Sequence, residues 1–164
     1  YAYKILSGEL KKFHGKKIIY THSLEGGNED HDACYTIVIK LLNYSKDIQS
    51  AFQFPLYNAN TSLFYYQVQK ILVSNGNLIK IKTKFFNRLR YIPYLFYYRS
   101  QLRTWIGLYP FIILNLLLRN YYCLQRINKN SSINRPHGGR LLYEKFKKCS
   151  HSDFQNQLKR FINP

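Results

Sequence analysis

Two histidines and four carboxylates crowd into one short stretch, Tyr20-Thr21-His22-Ser23-Leu24-Glu25-Gly26-Gly27-Asn28-Glu29-Asp30-His31-Asp32-Ala33. The whole chain has only eight acidic residues, and four of them (Glu25, Glu29, Asp30 and Asp32) lie here. Imidazole and carboxylate are the groups a hydrolytic zinc ion takes, commonly three protein ligands with one position left for water. A bound divalent ion would also offset the mutual repulsion of the carboxylates. The same residues have a plainer use. Asn28 makes a good helix N-cap, and acids in a first helical turn meet the partial positive charge of exposed amides. The histidines would then sit on the surface, and residue types alone leave both readings open.

The elements around this stretch would put it where open α/β sheets keep their functional loops, at the carboxyl ends of strands. Lys16 to Thr21 reads as a strand, β-branched and aromatic at Ile18-Ile19-Tyr20. His22 to Gly27 is a loop with two consecutive glycines. Tyr35, Val38, Ile39 and Leu42 then space out an amphipathic helix from Asn28 to about Asn43. Before the strand, Tyr3 to Phe13 forms a helix with Ile5, Leu6, Leu10 and Phe13 on one face. Beyond the cluster, Ala51 to Leu56 reads as a strand, Ser62 to Leu72 as a helix and Leu78 to Lys84 as a strand. A helix over Arg88 to Trp105 begins or kinks at Pro93. Pro110 then opens a second, strongly apolar helix containing Ile112, Ile113, Leu116, Leu117 and Leu124. Asn128 to Asn134 is a polar loop, and Ser152 to Ile162 is a terminal helix. The most apolar run, Trp105 to Leu118, is shorter than the ~20 residues needed to cross a bilayer and reads as a buried helix.

At 164 residues the prior is a single domain, and sixteen Tyr with eleven Phe rule out a disordered chain. Net charge is +17. From Ile48 to Leu142 there is no acidic residue, while thirteen Lys and Arg lie in that stretch. Such a field attracts nucleic acid, anionic lipid headgroups or phosphorylated small molecules, although a solvated basic surface also accounts for it. Cys34, Cys123 and Cys149 are odd in number and form no Cys-x-x-Cys pair. This argues against a disulfide framework and a thiolate zinc site, and fits a reducing, cytoplasmic setting.

Three blocks carry a family resemblance. Thr21-His22 followed by Glu25-Gly26-Gly27-Asn28-Glu29-Asp30-His31-Asp32-Ala33 resembles the Thr-His and Gly-Gly-His-x-Asp-His-Asp-Ala block of LmbE-like, or PIG-L, de-N-acetylases. Tyr98-Arg99-Ser100-Gln101 is similar to that family's Tyr-x-Ser-Gln. Arg135-Pro136-His137-Gly138-Gly139-Arg140-Leu141-Leu142-Tyr143-Glu144 is similar to the Arg-Pro-His-x-Gly-x-Leu-Leu-Tyr-Glu ending of a bacterial branch. The resemblance implies a Rossmann-like three-layer α/β fold and zinc-dependent hydrolysis of an acetamide on an N-acetylglucosamine-containing glycoconjugate. The substrate would be a small or lipid-linked amino sugar.

By that resemblance His31 is a metal ligand and Asp30 orients a neighbouring group. Asn28 stands where many members have histidine, so any hydrogen bond to a developing oxyanion would come from a neutral amide. His22, Arg135 and His137 are candidate substrate contacts, with a loop-capping role for His22 and a simple turn at Arg135 and His137 as the alternatives. Ser100 and Gln101 read as structural, and His14 and His151 as exposed. The family's other zinc ligands and its general base belong to an Ala-His-Pro-Asp-Asp-Glu block. None of the five prolines here follows a histidine, so that block is absent. Residues 1–164 are therefore expected to be the carboxyl-terminal part of one such domain, without its first strand and metal-binding loop, and silent alone.

Two other functions compete. Lys and Arg interleave with Tyr and Phe from Leu78 to Arg103, as in modules that stack single-stranded nucleic acid. A non-catalytic relative that kept the fold is the other. Nucleic-acid binding gives no reason for the acid cluster, so no nucleic-acid partner is expected, while the basic field allows peripheral contact with an anionic membrane.

Overall fold

The computed structural model describes residues 1–58, 60, 67–68, 70–72, 75–97, 102–146 and 149–162, without the side chains of 67–68, 95–96 and 102–105. The protein is mixed α/β. Helix α1 (Ala2–Lys11) precedes strand β1 (Lys17–His22), helix α2 (Glu29–Tyr44) and strand β2 (Ile48–Phe54). β1 and β2 are parallel, with Ile19 beside Ala51 and His22 beside Phe54. This is the βαβ unit that parallel pairing requires, since a tight turn cannot return the chain to the same direction. Strand β6 (Tyr121–Ile127) joins β2 antiparallel and pairs with β5 (Leu78–Lys82), which gives the sheet order β1-β2-β6-β5. Two short strands, β3 (Tyr57–Asn58) and β4 (Gln67–Val68), pair separately. The sheet is therefore mixed, with one parallel pair.

Leu24, Tyr35, Val38 and Ile39 meet Ala51, Ile127 and Ile162 in the core. Ile162 comes from helix α6 (His151–Ile162), which follows the short helix α5 (Leu142–Lys145), so α2 and α6 share one face of the sheet. Polar groups cross this core as a connected set. Gln53 donates to Gln125 (2.6 Å), Gln125 donates to the Gly76 carbonyl (2.6 Å), and Asn75 joins Gln125 to the Tyr35 hydroxyl. Buried amides cost little when satisfied this way, and they fix the register of β2 on β6.

Several expected elements differ. Residues 88–105 are not one kinked helix: helix α3 (Phe85–Leu89) is followed by a 3₁₀ turn at Pro93–Tyr97, and helix α4 (Leu102–Leu118) begins after it. Pro110 lies inside α4 and does not open it. Its missing N–H leaves the Ile106 carbonyl without an intrahelical donor, on a side exposed to water. Leu124 belongs to β6, where Cys123, Gln125 and Ile127 alternate inward with period two. Gln67 and Val68 are strand where a helix over Ser62 to Leu72 was expected; residues 61–66, 69 and 73–74 lie outside the described residues. The β2 strand starts three residues before Ala51 and stops at Phe54, ahead of Pro55. The apolar face expected of α1 is largely bare, with Ile5, Leu6 and Phe13 exposed. α1 is held instead by Tyr3, edge-on to Phe161, and by Lys40, whose ammonium lies over both rings.

Candidate functional site

The acid-rich cluster lies at the carboxyl ends of β1 and β2, with a downstream loop packed against it. Its centre is a carboxylate that sequence reasoning did not select. Asp32, wholly buried in the first turn of α2, accepts the Glu25 N–H (3.0 Å) and the Gly26 N–H (3.1 Å to Oδ2). One side chain thereby closes the loop onto the helix that follows it. Burial pushes the Asp32 carboxyl up to about 7, against the two amides, which favour the charged form.

Glu25 is also buried. Its Oε1 accepts the Ser23 hydroxyl (2.6 Å) and the Leu56 N–H (2.7 Å), which ties the end of β1 to the segment leaving β2. Burial pushes its carboxyl up to about 8. The glycines between these acids are required by contact. A Cβ on Gly27 would stand 2.3 Å from the Tyr57 carbonyl oxygen. Gly26 has φ +69° and would meet Leu141 at 2.5 Å, in the left-handed region that disfavours side chains.

Asn28 caps α2: its Oδ1 accepts the Asp30 N–H (2.9 Å) from an extended backbone at φ −143°. Asp30 is exposed, and its charge favours the protonated form of His31. The His31 ring stacks on His22 with centroids 4.1 Å apart and planes 24° from parallel. Desolvation and the neighbouring His22 push His31 down to about 4, and burial pushes His22 down as well. Phe54 and Tyr57 stand edge-on to the two rings.

Zinc fits this arrangement only in part. Both imidazoles are neutral at pH 7, the state that binds metal. In-plane lone pairs on two nearly parallel rings do not converge on one ion, so the pair offers at most one ligand. Among the described residues no group of three or more His, Cys, Asp or Glu could hold a metal ion. These residues do not by themselves complete a zinc site.

The downstream loop arrives by backbone pairing, the Leu142 N–H donating to the Gly26 carbonyl (2.8 Å) while Leu141 packs on Gly26. His137 is buried, and neither ring nitrogen has a hydrogen bond of good geometry, although the Glu25 backbone lies close enough to favour its proton. Burial outweighs that and moves His137 below its usual range. Arg135 directs both terminal nitrogens at Glu144, at 3.0 and 2.7 Å, and one also reaches the Gly139 carbonyl. The guanidinium pulls Glu144 down to about 2. The fork that could have gripped a substrate anion therefore closes residues 135–144 on themselves.

His22, Asn28, Asp30 and His31 share one loop and helix start, and His137 is brought to them, whereas Arg135 is turned toward Glu144. His14 is exposed as expected, but His151 is buried, its Nδ1 2.9 Å from the Tyr143 hydroxyl. All three cysteines are free. Ser100 and Gln101, with the Tyr98-Arg99-Ser100-Gln101 block, lie outside the described residues. Sequence reasoning missed Glu25 and Asp32 as buried supports. The available signal was their position on either side of two glycines at a helix N-terminus.

No family model, curated protein or solved structure matches the chain.

Proposed function

We propose that these residues form the carboxyl-terminal part of a Rossmann-like, metal-dependent N-deacetylase of PIG-L type, acting on an N-acetylglucosamine-containing glycoconjugate. What supports the reading is the meeting of two sequence blocks more than a hundred residues apart. The Arg-Pro-His-Gly-Gly block lays Leu141, Leu142 and His137 on the Glu25-Gly26 turn of the Gly-Gly-Asn block, and both blocks carry candidate site residues. His31 would supply one zinc ligand, and the others would come from a segment bearing the Ala-His-Pro-Asp-Asp-Glu block. Zinc in such a site supplies a polarised amide carbonyl and an activated water. Asn28, its oxygen held by the helix cap, would turn its amide N–H toward the developing oxyanion.

The test supplies that segment at the amino end of the chain. The joined protein should bind about one zinc ion and release free amine from N-acetylglucosamine conjugates, and His31→Ala should strip most of the metal. Asn28→Ala should slow turnover roughly a hundredfold or more with little change in substrate affinity. Zinc content unchanged by His31→Ala, or no amine release from a zinc-loaded protein, overturns the proposal, the second in favour of a non-catalytic relative.

A further inference from the structure

The second half of the chain carries a face that the candidate site does not use. On one side of α4, Leu108 and Leu116 are buried. On the other, Ile106, Gly107, Pro110, Leu114, Leu117 and Leu118 are all exposed, Ile106 and Leu118 by 75% and 74%. At about 100° per residue these six positions fall within an arc of roughly 120°. Over residues 106–118 they make one continuous stripe without a polar side chain, of the kind that normally faces a core.

We propose that this stripe and the basic edge beside it form a docking surface for an anionic lipid bilayer, entering one leaflet without crossing it. The Thr83 N–H donates to the Asn120 carbonyl (2.8 Å), which brings the end of β5 and the start of α3 against the carboxyl end of α4. Lys82 and Lys84 are exposed there, and Phe86 beside them is 76% exposed. Beneath, the Arg88 side chain is buried against the Phe85 ring with Nε and Nη1 unpaired. Its charge has no counter-ion nearby in sequence, because no acid occurs from Ile48 to Leu142. An apolar strip rimmed by uncompensated cations is what interfacial helices present to headgroups and acyl chains.

Length and composition select this partner over others. α4 has seventeen residues, about 25 Å of helix against a hydrocarbon core of about 30 Å. No helix among the described residues is long and apolar enough to cross a membrane. Single-stranded RNA would use aromatic rings and guanidinium planes for stacking, and the isoleucine and leucines of the stripe have no such face. A second copy would bring an equally basic edge against this one.

Flotation of the 164-residue protein with vesicles of about one-third phosphatidylserine in phosphatidylcholine tests the proposal. Binding should be strong there, weak on pure phosphatidylcholine and reduced by salt. Leu118→Glu and Phe86→Glu should each weaken it roughly tenfold or more, and paired Lys82→Glu and Lys84→Glu substitutions should remove the phosphatidylserine preference. Melting temperature should hold, since these side chains face solvent; where glutamate lowers it, Leu118→Asn and Phe86→Asn provide the same loss. Vesicle binding untouched by the Leu118 and Phe86 variants overturns the proposal. So does absence of vesicle binding, whether accompanied by polyuridylate binding that depends on Lys82 and Lys84 or by a dimer that Leu118→Glu splits.

Discussion

The loop around Asp32 and the face around α4 handle polar groups in opposite ways. In the loop, each buried carboxylate has named donors: Asp32 takes the Glu25 and Gly26 amides, and Glu25 takes Ser23 and Leu56. Along the α4 face the apolar side chains are the exposed ones, and Arg88 beneath the neighbouring edge keeps two donors unpaired. The first region is stabilised from within the chain and should respond sharply to small changes. The second is completed by something outside it, so substitutions there should leave stability alone and alter association.

The largest effect should come from Gly27→Ala, because the added methyl meets a backbone carbonyl that cannot swing aside. Urea unfolding should show a loss of roughly 3 kcal/mol. A cost below about 1 kcal/mol would mean that the loop can shift away from the Tyr57 carbonyl. Asp32→Ala should follow at roughly 2 kcal/mol, since it leaves two buried amides without an acceptor, and Asp32→Asn should cost less because one acceptor oxygen survives.

The two glutamates sharpen the comparison through pH. Glu25 has its carboxyl raised from 4.5 to about 8 in the folded protein. Between those values the folded state holds a proton that the unfolded chain has released, so stability falls as pH rises through the window. Glu25→Gln should flatten that slope in melting temperature from acid to mildly alkaline pH. Glu144, lowered from 4.5 to about 2, acts in the opposite sense. Its contribution is present above the unfolded value and disappears as pH falls toward 2, and Glu144→Gln should remove this acid limb.

Smaller effects remain. Arg135→Lys gives up the two-pronged contact with Glu144 and should cost about 0.5–1 kcal/mol, because the pair is partly solvated. Ile106→Ser should change stability by less than about 0.5 kcal/mol. A cost there as large as that of Asp32→Ala would erase the distinction between the two regions.

What could be read in advance follows from how local the cause is. Asn28 and the acids of the next turn act on amides within a few positions, so the cap and helix α2 were visible as residue types. β6 was hidden because Leu124 stands seven and eight positions after Leu117 and Leu116, the spacing of one helical face, although the chain changes from helix to strand between them. The inward alternation of Cys123, Gln125 and Ile127 shows which period won. Glu25 could be read only as one carboxylate of an acidic cluster, because the Leu56 amide that holds it lies thirty-one positions away. His151 looked exposed because the Tyr143 hydroxyl reaches it across the break before α6. Arg135 was read toward a substrate when its answering carboxylate, Glu144, was nine residues off within the same block.

Asp32 also joins two motions that would otherwise be separate. Its backbone lies in the first turn of α2, where its N–H reaches the Asn28 carbonyl, while its carboxylate holds the loop amides of Glu25 and Gly26. Those two amides can trade their hydrogens with solvent only when the carboxylate lets go. Fraying of the helix start should therefore release them together, so that their deuterium uptake follows one opening rate, and Asp32→Asn should raise both rates in parallel.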